Sequence, residues 1–348
     1  MRIHRFILAS AFLMAVACTK EPVESFSDRD VIAFQVGENM IQTKMGVTND
    51  NLESKATIIT RGTEASKAIS FNNSTDLRLK LDAETGYWFP NGNRSWKHWT
   101  KSGYSFTTYA YSPKNSSNVA VANAPTTVTI TEPTSYSYGS EDDNFVDYLL
   151  SYRHDITDGM TRPIVTMKLE HALSNIEIYV VKDPSIQGVR VKSMSLSGLY
   201  NKAQMTCSQA QYVPNGTQPK NQWSASLQGS TNTYSWTDNN FKAADDEIED
   251  SAAYLKFIAI PQGVSGLRLN VDLDVNEQDE EGVDHWVNHP YNNVSFSKTG
   301  LPANWTSGNK YIYILTVDTG IHLTGYVVEW KDGGSIETTI LPDITDND

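Results

Sequence analysis

The sequence predicts an all-β fold, and three observations carry that expectation. Apolar residues alternate with polar ones at a period of two in several separate segments. β-Branched and aromatic runs are frequent, and Gly, Asn and Pro clusters punctuate them. No long stretch carries the 3.6-residue periodicity of an amphipathic helix.

Reading along the chain, Arg2, His4 and Arg5 precede an apolar run from Phe6 to Ala17. That run has the length of a secretory leader and is too short for a permanent membrane span. It ends in Ala15-Val16-Ala17-Cys18, small residues before a cysteine, as a lipoprotein signal peptidase requires. Residues 1–17 are therefore expected to be a lipoprotein signal peptide, with Cys18 lipidated. The competing reading is an ordinary leader with an incidental cysteine. The scarcity of cysteine elsewhere favours lipidation, since Cys207 is the only other one. With Cys18 acylated, no intrachain disulfide can form, and stability must come from buried apolar area.

The chain of 348 residues has a formal charge of −13, and losing Arg2 and Arg5 with the leader takes it to −15. So acidic a surface disfavours nucleic acid and anionic headgroups as partners. The length leaves room for two domains.

Ile32, Phe34 and Val36 share one parity and predict a first strand. The polar stretch from Gly37 to Ser54 reads as an exposed loop. Leu77, Leu79 and Leu81 repeat the alternation, and Thr126 to Thr131 is a β-branched run around Val128 and Ile130. Val165, Met167, Leu169, His171 and Leu173 share one parity, while Ile176, Ile178 and Val180 share the other. One strand cannot keep a single apolar face through that switch, so a bulge or sharp bend is expected near Ser174-Asn175. The polar stretch from Asp155 to Pro163 marks a domain boundary. Ala243 to Ala253 is acidic and suits one short helix. Leu267, Leu269, Val271, Leu273 and Val275 form a half-buried strand; Tyr311 to Val317 is apolar on both faces and predicts a central one.

Residues with catalytic or metal-binding chemistry do not assemble into a site. His285 and His289 are four apart, but no Glu follows the first and Pro290 follows the second, which opposes a zinc-binding helix. Asp272, Asp274 and Asn276 open an acidic stretch that lacks the glycine and closing glutamate of a calcium loop. His171 and Cys207 read as core residues. There is no phosphate-binding glycine loop and no nucleophile elbow. No enzyme, cofactor or metal is expected.

An ordered set of segments resembles the fimbrillin family, lipoprotein subunits of the donor-strand, type V-like pili of Gram-negative anaerobes. They are Val31-Ile32-Ala33-Phe34 with Thr60-Arg61-Gly62-Thr63, Tyr87-Trp88-Phe89-Pro90, and Tyr104-Ser105-Phe106 with Tyr109-Ala110-Tyr111-Ser112-Pro113. Leu169 to Ile176, Ile258-Ala259-Ile260-Pro261-Gln262, Trp305, Gly308, Tyr311 and Trp330-Lys331-Asp332-Gly333 complete the set. The resemblance implies two tandem transthyretin-like β-sandwich domains, 18–160 and 161–348. It further implies an outer-membrane lipoprotein precursor that becomes a surface fimbrium, with other fimbrial subunits as partners in a homo- or heteropolymer. A surface arginine-specific protease would cut in the loop after the first strand, between Arg61 and Gly62, releasing a propeptide of about 18–61. Ile32, Phe34 and Val36 would leave with it, and the tail of another subunit, with Ile336, Thr338 and Ile340 as donor residues, would fill the groove. From Ser335 to Asp348 the tail can span about 45 Å when extended. The alternative is a surface lipoprotein that binds carbohydrate through exposed aromatics, for which Trp88, Trp96, Trp99, Tyr104, Tyr109 and Tyr111 are the cluster.

Overall fold

The computed structural model describes residues 31–36, 52–97, 99–100, 103–134, 145–156, 164–213, 217–242, 244–245, 255–278, 282–318 and 320–330. The expected leader, Cys18, most of the loop after the first strand, and Ile336, Thr338 and Ile340 lie outside the described residues. Among the described residues, no helix is long and apolar enough to cross a membrane.

The protein is nearly all β. In chain order the first elements are β1 (Phe34–Val36), α1 (Leu52–Lys55), β2 (Thr57–Glu64), β3 (Lys67–Ala68), β4 (Leu77–Leu81), β5 (Trp88–Pro90), β6 (Tyr104–Ser112), β7 (Val119–Val121) and β8 (Thr127–Thr131). Next come β9 (Asp147–Ser151), β10 (His154–Ile156), β11 (Val165–Met167), β12 (Leu169–His171), β13 (Ser174–Lys182), β14 (Gly188–Ser208) and β15 (Gln222–Lys242). The last are β16 (Ala244–Asp245), β17 (Leu255–Ala259), β18 (Arg268–Gln278), β19 (Asp284–Ser295), β20 (Asn309–Val317) and β21 (Ile321–Glu329).

Three sheets share one principal core. The first runs β11-β1-β5-β4-β2-β6-β9-β12, with β10 beside β6 and β3 beside β2. The second runs β16-β13-β20-β21, with β17 beside β13. The third runs β19-β18-β14-β8-β7, with β15 on the other side of β14. Strands from either side of residue 160 share sheets: β11 and β12 join the first, and β7 and β8 pair into the third through β14.

Local chemistry explains the elements. Val128 and Ile130 are fully buried against β14, while Thr127, Thr129 and Thr131 take the other, half-buried face. β20 lies between β13 and β21 and buries side chains on both faces, as a central strand must. The parity switch after Leu173 is resolved by a change of sheet rather than by one extra residue. β12 pairs with β9 in the first sheet, Ala172 and Leu173 turn a fully buried corner, and β13 enters the second sheet beside β17 and β20. The described part of the acidic stretch, residues 244–245, is strand β16 parallel to β13, not helix.

Residues with apparent site chemistry have structural surroundings. His285 and His289 sit on β19, where four residues of extended chain separate them by about 13 Å, too far to share one ion. Asp272 and Asp274 lie on β18, and Asn288 bridges them from β19. Cys207 is buried, and desolvation pushes its thiol up to about 12.

The 21-residue β14 pairs with β15, β18 and β8. Its register shifts between Ser197 and Leu199. Gly198 sits there at φ +90°, and a Cβ would lie 2.5 Å from the Gly266 carbonyl oxygen. Gly198→Ala should therefore lose about 2 kcal/mol or more of stability by chemical denaturation.

Candidate functional site

The candidate site is the slot that β1 occupies. β1 lies parallel to β11, with Phe34, Gln35 and Val36 in register with Val165, Thr166 and Met167. On its other side a single antiparallel bridge joins Phe34 to Trp88 of β5. Few backbone bonds hold the segment. The Ile32 amide donates to the Lys97 carbonyl at 3.0 Å, and the Val165 amide donates to the Ala33 carbonyl at 2.9 Å. The indole Nε1 of Trp96 donates to the Ile32 carbonyl at 2.8 Å, and Gln35 Nε2 donates to Thr166 Oγ1 at 3.2 Å.

Side chains hold it far more firmly. Ile32 and Phe34 are fully buried, and Val36 packs on the core from a half-buried position. The Phe34 ring meets Phe106 edge to face at 5.4 Å and stacks near Trp96 at 6.3 Å. Burying an isoleucine and a phenylalanine contributes about 1.5–3 kcal/mol each. The slot thus binds a short strip of chain by two apolar plugs and a handful of backbone bonds.

Gly62 shapes the floor of the slot. It pairs with Phe106 across β2 and β6, and a Cβ on it would lie 2.6 Å from the Phe106 ring and 3.2 Å from Ile69. Phe106 lies over this bare backbone and so offers its edge to Phe34. Trp99 and Tyr104 extend the aromatic wall, with Tyr104 stacked on Phe106 at 5.9 Å.

A charged clamp fixes the segment that caps the slot. Glu64, at the end of β2, accepts from Thr100 Oγ1 at 2.7 Å and from the Tyr104 hydroxyl at 2.9 Å, and pairs with Lys97 Nζ at 2.8 Å. Lys97 is the residue whose carbonyl receives the Ile32 amide. The lysine contact, followed by the threonine hydrogen bond, holds the Glu64 carboxyl down at about 2.

Arg61 is part of strand β2, in register with Thr107 of β6, rather than in the expected loop. It forms a bidentate pair with Asp76, and its Nη1 donates to the carbonyls of Ala122 at 2.9 Å and Asn123 at 2.8 Å. Asp76 raises the guanidinium further above its ordinary value. Arg61 therefore ties the first sheet to the turn between β7 and β8. Its peptide bond with Gly62 is accessible only after β2 opens locally.

Lys97 and Glu64 carried no sequence signal, and Trp96 stood out only as one of the aromatic cluster. All three come from turn and strand-end positions, and the β11 wall lies 131 residues away from Gln35. The alternation of Val165 and Met167 marks a strand but does not name its partner. In the aromatic cluster, Trp88, Trp99, Tyr104 and Tyr109 are buried, and Trp96 and Tyr111 pack on the core. These rings build the slot and the sheet interior, so the exposed stacking surface expected of a carbohydrate binder is not found in that cluster.

The fimbrillin-like family profile matches residues 43–337. A fimbrial protein from Bacteroides vulgatus has a similar structure, at 16% identity and a TM-score of 0.56, covering 87% of this chain and 100% of that one. A candidate cell adhesion protein from Bacteroides uniformis is similar at 14% identity and a TM-score of 0.50, covering 87% of this chain and 98% of that one. The tip fimbrial protein Mfa3 from Porphyromonas gingivalis, C-terminally truncated, aligns over 86% of this chain and 98% of its own at 8% identity, with a TM-score of 0.37. The fold argument rests on the first two. No curated protein sequence matches the chain.

The Glu64 clamp makes a pH prediction. The folded carboxyl titrates near 2 and the unfolded one near 4.5, so the stability it adds is complete above 4.5 and is lost as pH falls through about 2. Wild type should exceed Glu64→Gln by about 1 kcal/mol at pH 6, a figure held down by partial exposure. That margin should shrink steadily below pH 4.5 and be mostly lost at pH 2 in urea titrations.

Proposed function

The chain belongs to the fimbrillin-like family, and from that premise we propose that it is a structural or adhesive fimbrial subunit in which β1 holds the place of an incoming donor strand. The observation that carries the reading is the way β1 is held. Two buried side chains, Ile32 and Phe34, fill a slot whose backbone contacts are few. Such a strip is easily replaced by another strand with apolar residues at alternate positions.

Cleavage between Arg61 and Gly62 by an arginine-specific surface protease separates a propeptide of about 18–61 from the sheet. The propeptide takes two strips of the first sheet, β1 and the Thr57–Arg61 part of β2, the latter paired with β6. Ile58 and Ile59 leave the core with it. What remains is a groove with apolar pockets beside unpaired backbone groups, which is costly in water. The tail of another subunit, presenting Ile336, Thr338 and Ile340, restores both. A head-to-tail contact of this kind grows a filament rather than closing a dimer.

Cleavage is gated by the strand itself, because Arg61 is anchored to Asp76, Ala122 and Asn123. The protease acts on a transiently opened β2, so rapid processing requires this interior strand, held between β4 and β6, to open readily. Before cleavage, acyl chains on Cys18 hold the precursor at the outer membrane, and they leave with the propeptide. The division into 18–160 and 161–348 is part of the same proposal, with the sheets interlocked across it. The carbohydrate alternative loses its original support, since the aromatic cluster is largely interior.

Arg61→Ala should yield an uncut surface monomer that still contains Phe34, and no SDS-resistant ladder in unheated samples. Normal ladders from that variant would remove cleavage at Arg61 as the trigger. Deleting residues 335–348 should leave a cleaved, folded subunit that fails to donate, read by the same gel.

A further inference from the structure

A cavity of about 500 Å³ lies away from the β1 slot, where β12 approaches the end of β21. Tyr152, Lys168, Glu170, Asn221, Ser307 and Trp330 are among its lining residues. The volume falls within the range of about 300–1,000 Å³ typical of small-molecule sites.

The walls are fixed before any ligand arrives. Trp330 stacks on His171 at 3.7 Å, nearly parallel, and its amide donates to the Gly308 carbonyl at 2.9 Å. His171 in turn contacts the buried Asp147 carboxylate at 2.9 Å. The Tyr152 hydroxyl donates to Glu170, whose other oxygen accepts the Asn221 amide at 2.9 Å.

Two lining groups are not used by the fold. The Ser307 hydroxyl oxygen is shielded from solvent and has no hydrogen-bond partner, which is costly unless a ligand or water supplies one. The Lys168 ammonium has no carboxylate partner among the described residues and sits 5.7 Å from the Tyr152 ring centre. Lys220, by contrast, is paired with Glu329 at 2.5 Å.

These features select a ligand class. Lys168 calls for one negative charge. Ser307 calls for a hydroxyl or amide group, since the side-chain amides of Asn221 and Gln218 are already bonded to the backbone around them. Trp330, whose other face is stacked on His171, offers apolar surface of the sort that packs against sugar rings. A dianionic phosphate would meet Glu170 and Glu329 in the same cavity, and a simple aromatic acid would leave Ser307 unmatched. We propose that this cavity binds a carboxylate-bearing pyranose, a uronic acid or a sialic acid of a surface glycan, with Lys168 reading the carboxylate and Ser307 a ring substituent. The proposal names a ligand for the adhesive role of a fimbrial subunit. It does not depend on cleavage or strand exchange, because the cavity shares no residue with the β1 slot or Arg61.

Isothermal titration of the purified full-length chain tests it with methyl β-glucuronide, N-acetylneuraminic acid and, as a neutral match, methyl β-glucoside. At least one acidic sugar should bind well above the glucoside, and which one does so identifies the source. Lys168→Met should weaken that sugar about tenfold or more without changing the glucoside, and Lys168→Arg should retain it. Ser307→Ala should weaken both the acidic and the neutral sugar. Thermal unfolding of each variant confirms that the fold is retained. Equal affinity for charged and neutral sugars, no binding of either acid, or indifference to Lys168→Met would overturn the assignment. So would binding of a synthetic 331–348 peptide in place of every sugar, which would make the cavity a peptide site.

Discussion

Phe34 in its slot is the contact on which the account depends. The ring is fully buried and lies edge to face with Phe106 at 5.4 Å. Phe106 can take that position only because Gly62 below it has no side chain. A single glycine in β2 thereby sets the floor for a strand that arrives from elsewhere in the sequence. Trp96 closes the slot from a turn, both by its ring and by its hydrogen bond to the Ile32 carbonyl.

This arrangement separates affinity from permanence. The side chains supply most of the attraction, and the backbone contributes a three-residue parallel ladder and one bridge. Pockets that take alternate side chains are the usual means by which a sheet selects an added strand. The segment that would have to be cut is held in the opposite manner. Arg61 is enmeshed in a strand, a carboxylate pair and two carbonyls, so its peptide bond is protected until β2 opens. A weakly laddered plug behind a firmly anchored latch is the physical basis of the proposed triggerable subunit.

Much of the fold was legible because exposed-and-buried alternation writes itself into sequence. β1, β4, β8 and β18 stand where period two or a β-branched run predicts them, and β20 where an apolar run predicts a central strand. The parity switch after Leu173 was visible, but periodicity reports only that a face changes. It took the pairing of β12 with β9 and of β13 with β20 to show that the chain changes sheets. Arg61 lies in a strand and not in the loop that the family pattern implies, and the β-branched run from Thr57 to Thr60 is the local signal for that strand. The slot's β11 wall and the cavity near Trp330 are built from segments far apart in the chain. Single-sequence patterns carry no information about which strands meet, so neither could have been read in advance.

The most direct test of the removable strand is N-terminal sequencing and intact mass of the subunit recovered from isolated surface fibres. The account predicts a polypeptide that begins at Gly62 and lacks Phe34. Fibres whose subunits keep Phe34 and Gly62 on one continuous chain would contradict it.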